Sequence, residues 1–88
     1  MEILTNRIYK HFKGDHYLVI DTAINNEDGI TYVIYRALYG NGQLFVRPIS
    51  DFVSKVDMVK YPQATQEYKF ELQEVKSINK GHEVLWLI

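Results

Sequence analysis

The sequence predicts an all-β domain: a small antiparallel SH3-like barrel or two-layer sheet of five to six strands, with one short helix. Three observations carry this. Aromatic residues make up 14% of the chain and recur with β-branched residues in short stretches, the types that fit a pleated, half-buried surface. Turn signals punctuate those stretches at Gly14-Asp15, Asn25 to Gly29, Gly40-Asn41-Gly42 and Lys80-Gly81, a spacing typical of small all-β domains. Finally, "EYKFELQEV" (Glu67 to Val75) alternates strictly, with Tyr68, Phe70 and Leu72 on one side and Lys69, Glu71 and Gln73 on the other. That is the mark of an antiparallel strand with one buried face.

The 88 residues predict a single β-barrel domain over 1–88. Strands are expected at Ile8 to Phe12 and His16 to Ala23, joined by a two-residue turn with glycine first. That register pairs Phe12 with Tyr17 and His11 with Leu18. Phe12, Tyr17 and Val19 then share one face, and Tyr9, His11, His16, Leu18 and Ile20 the other. After "NNEDG", a strand is expected from Ile30 to Tyr39 and its partner from Leu44 to Ile49, where Pro48 cannot donate to a ladder. Ser50 is the expected N-cap of a helix over Ser50 to Val56, with Asp51 at the positive end of its dipole. Phe52 and Val56, four apart, turn inward. The C-terminal "EVLWLI" is a continuous apolar run, either a strand buried on both faces or an exposed edge through which a homodimer would form. The expected core is Phe12, Tyr17, Val19, Val33, Leu38, Phe45, Val46, Phe52, Val56, Tyr68, Phe70, Leu72, Leu85 and Leu87.

Net charge is −1, so nucleic acid or an anionic surface would be recruited only by a local basic patch. With no cysteine, disulfides and thiolate metal sites are excluded, and a reducing cytoplasm is the expected compartment. No signal peptide or membrane span is expected. Neither a nucleophile elbow nor a glycine-rich phosphate loop is present, and His11, His16 and His82 lack the spacing of a metal site. No cofactor, metal or catalytic residue is therefore expected.

The blocks "YKHFKG" (Tyr9 to Gly14), Tyr17-x-Val19, "VIYRALYG" and "FVRP" together resemble a bacterial domain-of-unknown-function family, the one numbered 1653. The resemblance spans about residues 8 to 58. It implies a small bacterial cytoplasmic β domain with a buried phenylalanine in a short helical segment, and no assigned activity. Two features differ from the family pattern: Phe45 stands at the family's tryptophan, and "NNEDG" stands where a histidine-bearing segment is common.

The chemically pointed feature is "YRALYGNGQLFVRP" (Tyr35 to Pro48). With Asn41-Gly42 as a two-residue turn, Arg36 lies opposite Arg47, and like charges across a ladder are destabilising. Three resolutions are open. An anionic ligand binds both guanidinium groups; an internal acid (Glu67, Glu71, Asp51 or Asp21) lies between them; or a three-residue loop sends the arginines to opposite faces. The expected function is a non-catalytic binding module for an anionic ligand or single-stranded nucleic acid. Its candidate ligand-binding residues are Arg36, Arg47, Tyr35, His11 and Lys13. A structural or homo-oligomerisation domain is the alternative.

Overall fold

The computed structural model describes residues 2–74. Five strands, β1 (Arg7–His11), β2 (His16–Ile24), β3 (Thr31–Ala37), β4 (Leu44–Pro48) and β5 (Phe70–Leu72), form one antiparallel sheet. A single helical turn, α1 (Ile49–Phe52), follows β4. The order across the sheet is β4-β3-β2-β1-β5, a meander with β5 returned to the free edge of β1. The all-β class, the antiparallel pairing and the lone short helix agree with the expectation. Among the described residues the sheet is not closed into a barrel, because β4 and β5 lie at opposite edges without a ladder between them.

Both hairpins turn over longer loops than the sequence suggests, and the registers move with them. In the first, Lys10 faces His16 and Tyr9 faces Tyr17, while His11 N–H donates to the Asp15 carbonyl at 2.8 Å. Residues 12–14 therefore form the loop. Tyr9 and His11 consequently share a face with Tyr17 and Val19 rather than opposing them. In the second, Ala37 N–H donates to the Gln43 carbonyl at 2.9 Å around a five-residue loop, residues 38–42. Gly40 (φ 54°) and Gly42 (φ 68°) take left-handed conformations there, at no steric cost to a residue without Cβ.

One face of the sheet is covered. Rows Leu72–Tyr9–Tyr17–Ala37 and Arg7–Val19–Tyr35–Phe45 run across it. Phe52 packs onto this face fully buried, stacked on Phe70 at 4.1 Å and edge-on to Tyr9 and Tyr35. Val33, Val19 and Tyr9 complete the buried cluster, with Ile3, Tyr17, Ile49 and Val53 packed against it. Two of its members are tyrosines because each phenol has a partner. Tyr9 Oη accepts from Leu4 N–H at 3.0 Å, and Tyr35 Oη accepts from Arg47 Nε at 3.0 Å.

Of the expected core, Val19, Val33, Phe52, Val56 and Phe70 are buried. Leu38, Phe45, Val46 and Leu72 are exposed, Val46 to 64%. The register shift explains Val46, which lies on the other face of the edge strand β4, and the five-residue loop explains Leu38. The helix begins after Pro48, which makes no side-chain cap, and Asp51 sits in its first turn; Ser50 is not the N-cap. Of Glu67 to Val75, only Phe70–Leu72 joins the sheet, and Tyr68 makes an isolated bridge with Lys55. Leu85, Leu87, His82, the Lys80-Gly81 turn and the "EVLWLI" homodimer edge lie outside the described residues.

The irregular chain between α1 and β5 is tied down by its backbone. Val56 N–H donates to the Glu67 carbonyl, Lys69 N–H to that of Ser54, and Phe12 N–H to that of Lys69. Gln66 Nε2 donates to the Lys10 carbonyl at 2.9 Å. These bonds hold residues 54–69 beside the loop of the first hairpin, which creates the groove described next. No helix among the described residues is long and apolar enough to cross a membrane.

Candidate functional site

Arg36 and Arg47 do not meet. Arg36 pairs with Leu44 and Arg47 with Val33, so their side chains leave opposite faces of the sheet. Arg36 sits in the row Ile8–Leu18–Arg36–Leu44 on the opposite face, and its Nη1 donates to the Gly42 carbonyl at 2.8 Å. Its charge caps its own hairpin loop. A clamp built from both arginines is therefore not formed.

Arg47 projects from the covered face and is held at three points. Its Nε donates to Tyr35 Oη, its Nη1 donates to Asp51 Oδ2 at 2.8 Å, and its guanidinium lies 5.0 Å from the centre of the Phe70 ring. Burial works to lower its pKa, but the bonds to Tyr35 and Asp51 outweigh that and keep it charged. Asp51 also accepts from Lys69 Nζ at 2.6 Å. The Lys69 bond foremost, opposed by partial burial and aided by Arg47, holds the Asp51 carboxyl below the ordinary aspartate range. Asp51 is thus the internal acid, shared by Arg47 and Lys69 rather than by two arginines.

Beside this triad lies a groove of about 450 Å³ lined by His11, Phe12, Lys13, Asp15, Tyr17, Arg47, Asp57, Lys60, Tyr61 and Lys69. Three of the five sequence candidates, His11, Lys13 and Arg47, come together here. Tyr35 is 4% exposed and acts only through Arg47. His11 packs edge-on against Phe70 at 4.8 Å, and its Nδ1 accepts from Lys13 N–H at 3.1 Å. The proton of the neutral imidazole accordingly sits on Nε2. Burial first, then the charges of Arg47 and Lys13, lowers the His11 pKa from 6.5.

The sequence reading missed Lys60 and Tyr61, which come from the irregular segment. Asp57 organises them: its Oδ1 accepts from Val59 and Lys60 N–H, and its carbonyl accepts from Tyr61 N–H at 2.8 Å. The Tyr61 ring meets Phe12 edge-on at 4.9 Å. Lys13 Nζ lies 5.2 Å and Lys60 Nζ 5.5 Å from the Tyr61 ring centre, both within cation–π range. Burial would raise the Tyr61 phenol, but the two ammonium groups prevail and lower it. Among the described residues, neither Lys13 nor Lys60 takes part in a salt bridge. The carboxylates Asp15 and Asp57 also line the groove, with Asp57 occupied in its own turn. Among the described residues, no group of three or more histidine, aspartate or glutamate side chains could hold a metal ion.

Comparison with known proteins agrees with the block pattern in the sequence. A crystal structure of a DUF1653 protein from Bordetella bronchiseptica is similar to this chain, with a TM-score of 0.65 and 26% identity over 84% of this chain and 94% of that one. A search of the curated proteins gives no match. The model of the family described as "Protein of unknown function (DUF1653)" matches residues 7–72, a span from the first strand to the last described one. This chain therefore belongs to the DUF1653 family.

Proposed function

We propose that this domain is a non-catalytic binding module that takes an anionic ligand in the groove between the first hairpin loop and the Asp57–Tyr61 turn. One observation carries the reading. Lys13 and Lys60 converge on a single tyrosine ring with no salt-bridge partner among the described residues. Two ammonium groups brought together repel, and a bound anion turns that repulsion into attraction. Arg47 and Lys69 cannot play the same part at full strength, because they already share Asp51.

The remaining groups orient the ligand. Neutral His11 offers Nε2–H as a donor, and among the described residues no hydrogen bond engages Arg47 Nη2. Tyr35, Asp51 and Phe70 fix the arginine, so little rotamer freedom is lost when it binds. Arg36, on the far face, has no part.

Thermal unfolding with inorganic phosphate at low ionic strength tests this, since a ligand of the native state raises the midpoint. The midpoint should rise by the same amount for the wild type and for Arg36→Ala, and by clearly less for the double variant Lys13→Gln/Lys60→Gln. That variant also controls for the general stabilisation that phosphate gives any protein. An equal rise in the double variant, or none in the wild type, refutes the reading.

A further inference from the structure

The polar groove has a second lobe. A cleft of about 310 Å³ shares Phe12, Lys13, Lys60 and Tyr61 with it and continues over Pro62 and Ala64, with Gln63 at its margin. The shared lysines stand at the junction, cations on one side and an aromatic and aliphatic shelf on the other. A bare inorganic anion would use only the first lobe. From this division we infer that the ligand is a nucleotide unit, its phosphate on Lys13 and Lys60 and its base stacked on Tyr61. The inference rests on the anion-binding reading above and names the class of ligand.

Each part has a physical counterpart in the site. Every base offers a π-face, and stacking on an aromatic ring tolerates any sequence; Tyr61 is half-buried. Tyr61 is held by its backbone bond to Asp57 and braced by Phe12, so the shelf is formed before the ligand arrives. The ammonium groups now over the Tyr61 ring are on flexible stems. They can leave the ring to the base and close on the phosphate. The Gln63 amide carries both a donor and an acceptor, which suits the edge of a base. Asp15 and Asp57 on the groove wall oppose a run of phosphates, which favours one or two nucleotides over a long backbone track.

Fluorescence anisotropy with a short 5′-labelled oligothymidylate, competed by thymidine monophosphate and by inorganic phosphate, tests the assignment. Both nucleotide ligands should bind more tightly than phosphate. Competition by the monophosphate at concentrations similar to the oligonucleotide identifies a free nucleotide as the source, and much weaker competition identifies a single strand. Tyr61→Leu should weaken nucleotide binding by about five-fold or more while leaving the phosphate response of the thermal melt intact. Tyr61→Phe, which keeps the ring, should retain nucleotide affinity. Nucleotides binding no better than phosphate, or Tyr61→Leu binding them as the wild type does, overturns the inference while the anion-binding reading stands. Loss of neither ligand in Lys13→Gln/Lys60→Gln removes the anion-binding reading itself.

Discussion

Replacing Asp51 by asparagine tests the internal ion pair most directly. The carboxylate accepts from Lys69 at 2.6 Å and Arg47 at 2.8 Å, and asparagine keeps the shape while removing the charge. A hydrogen bond to a charged group contributes about 1.5–3 kcal/mol when well shielded. The Asp51 side chain is 39% exposed, so each bond is discounted for solvent screening. Removing the charge also leaves Arg47 and Lys69 facing each other unneutralised. A net loss of about 1–2 kcal/mol follows, roughly 5–15 °C in midpoint for a domain of this size. The pH dependence has a definite sign. The native carboxyl has a pKa below its ordinary value of 3.8, so its contribution is complete above that value and vanishes as pH falls through the folded one. The assay is thermal unfolding by circular dichroism between pH 2 and pH 7 for both proteins. The two curves should converge in acid and separate near neutrality. A difference that persists unchanged into acid, or no difference at pH 7, refutes the reasoning.

Two further outcomes follow from the same geometry. Phe52→Ala empties the stack on Phe70 beneath Tyr9 and Tyr35 and should cost about 3–5 kcal/mol, read from urea midpoints; a loss under about 1 kcal/mol would show that the helical turn does not anchor the core. His11, with its folded pKa below 6.5, resists a proton that the unfolded chain accepts. Stability should therefore fall as pH drops below 6.5, and His11→Gln should flatten that part of the profile in a phosphate-free buffer; an unchanged slope assigns the effect to another group.

The sequence made the class of fold legible and its registers much less so. Strict alternation in Tyr68 to Gln73 and the glycine-marked turns identified strands and loops. The pairing between β3 and β4 could not be read, because Thr31–Ala37 carries apolar residues on both faces, and a register is specified by pattern only where one face is polar. Gly14 (φ 112°), Gly40 and Gly42 all adopt positive φ, yet such glycines mark where a chain turns without fixing how many residues the turn spends. The displacement decided the fate of the arginines. Tyr9 and Tyr35 were hidden for another reason: a tyrosine is buried only when its hydroxyl finds a partner, and Leu4 N–H and Arg47 Nε are known only once the chain is folded. Lys60 and Tyr61 lie in a segment without periodicity, so no pattern could single them out. The sequence drew attention to one like-charged pair. It suggested the arginines of a hairpin, whereas the folded chain brings two lysines together from 47 positions apart (60 minus 13).

The pairing of β2 with β3 slips by one residue between Val19 and Asp21, and everything from Asp21 through Ile30 is exposed. The bulge thus separates two jobs within one strand. Tyr17 to Val19 is paired on both sides, with β1 and β3, whereas Asp21 to Ile24 pairs with β3 alone, in a hairpin closed by the Asn25 and Gly29 turn bonds. The tip of that hairpin, Ile24 to Thr31, is an arm that pairs with neither β1 nor β4. A peptide tag or a fluorophore inserted among Asn26, Glu27 and Asp28 would ride on the arm without entering the core.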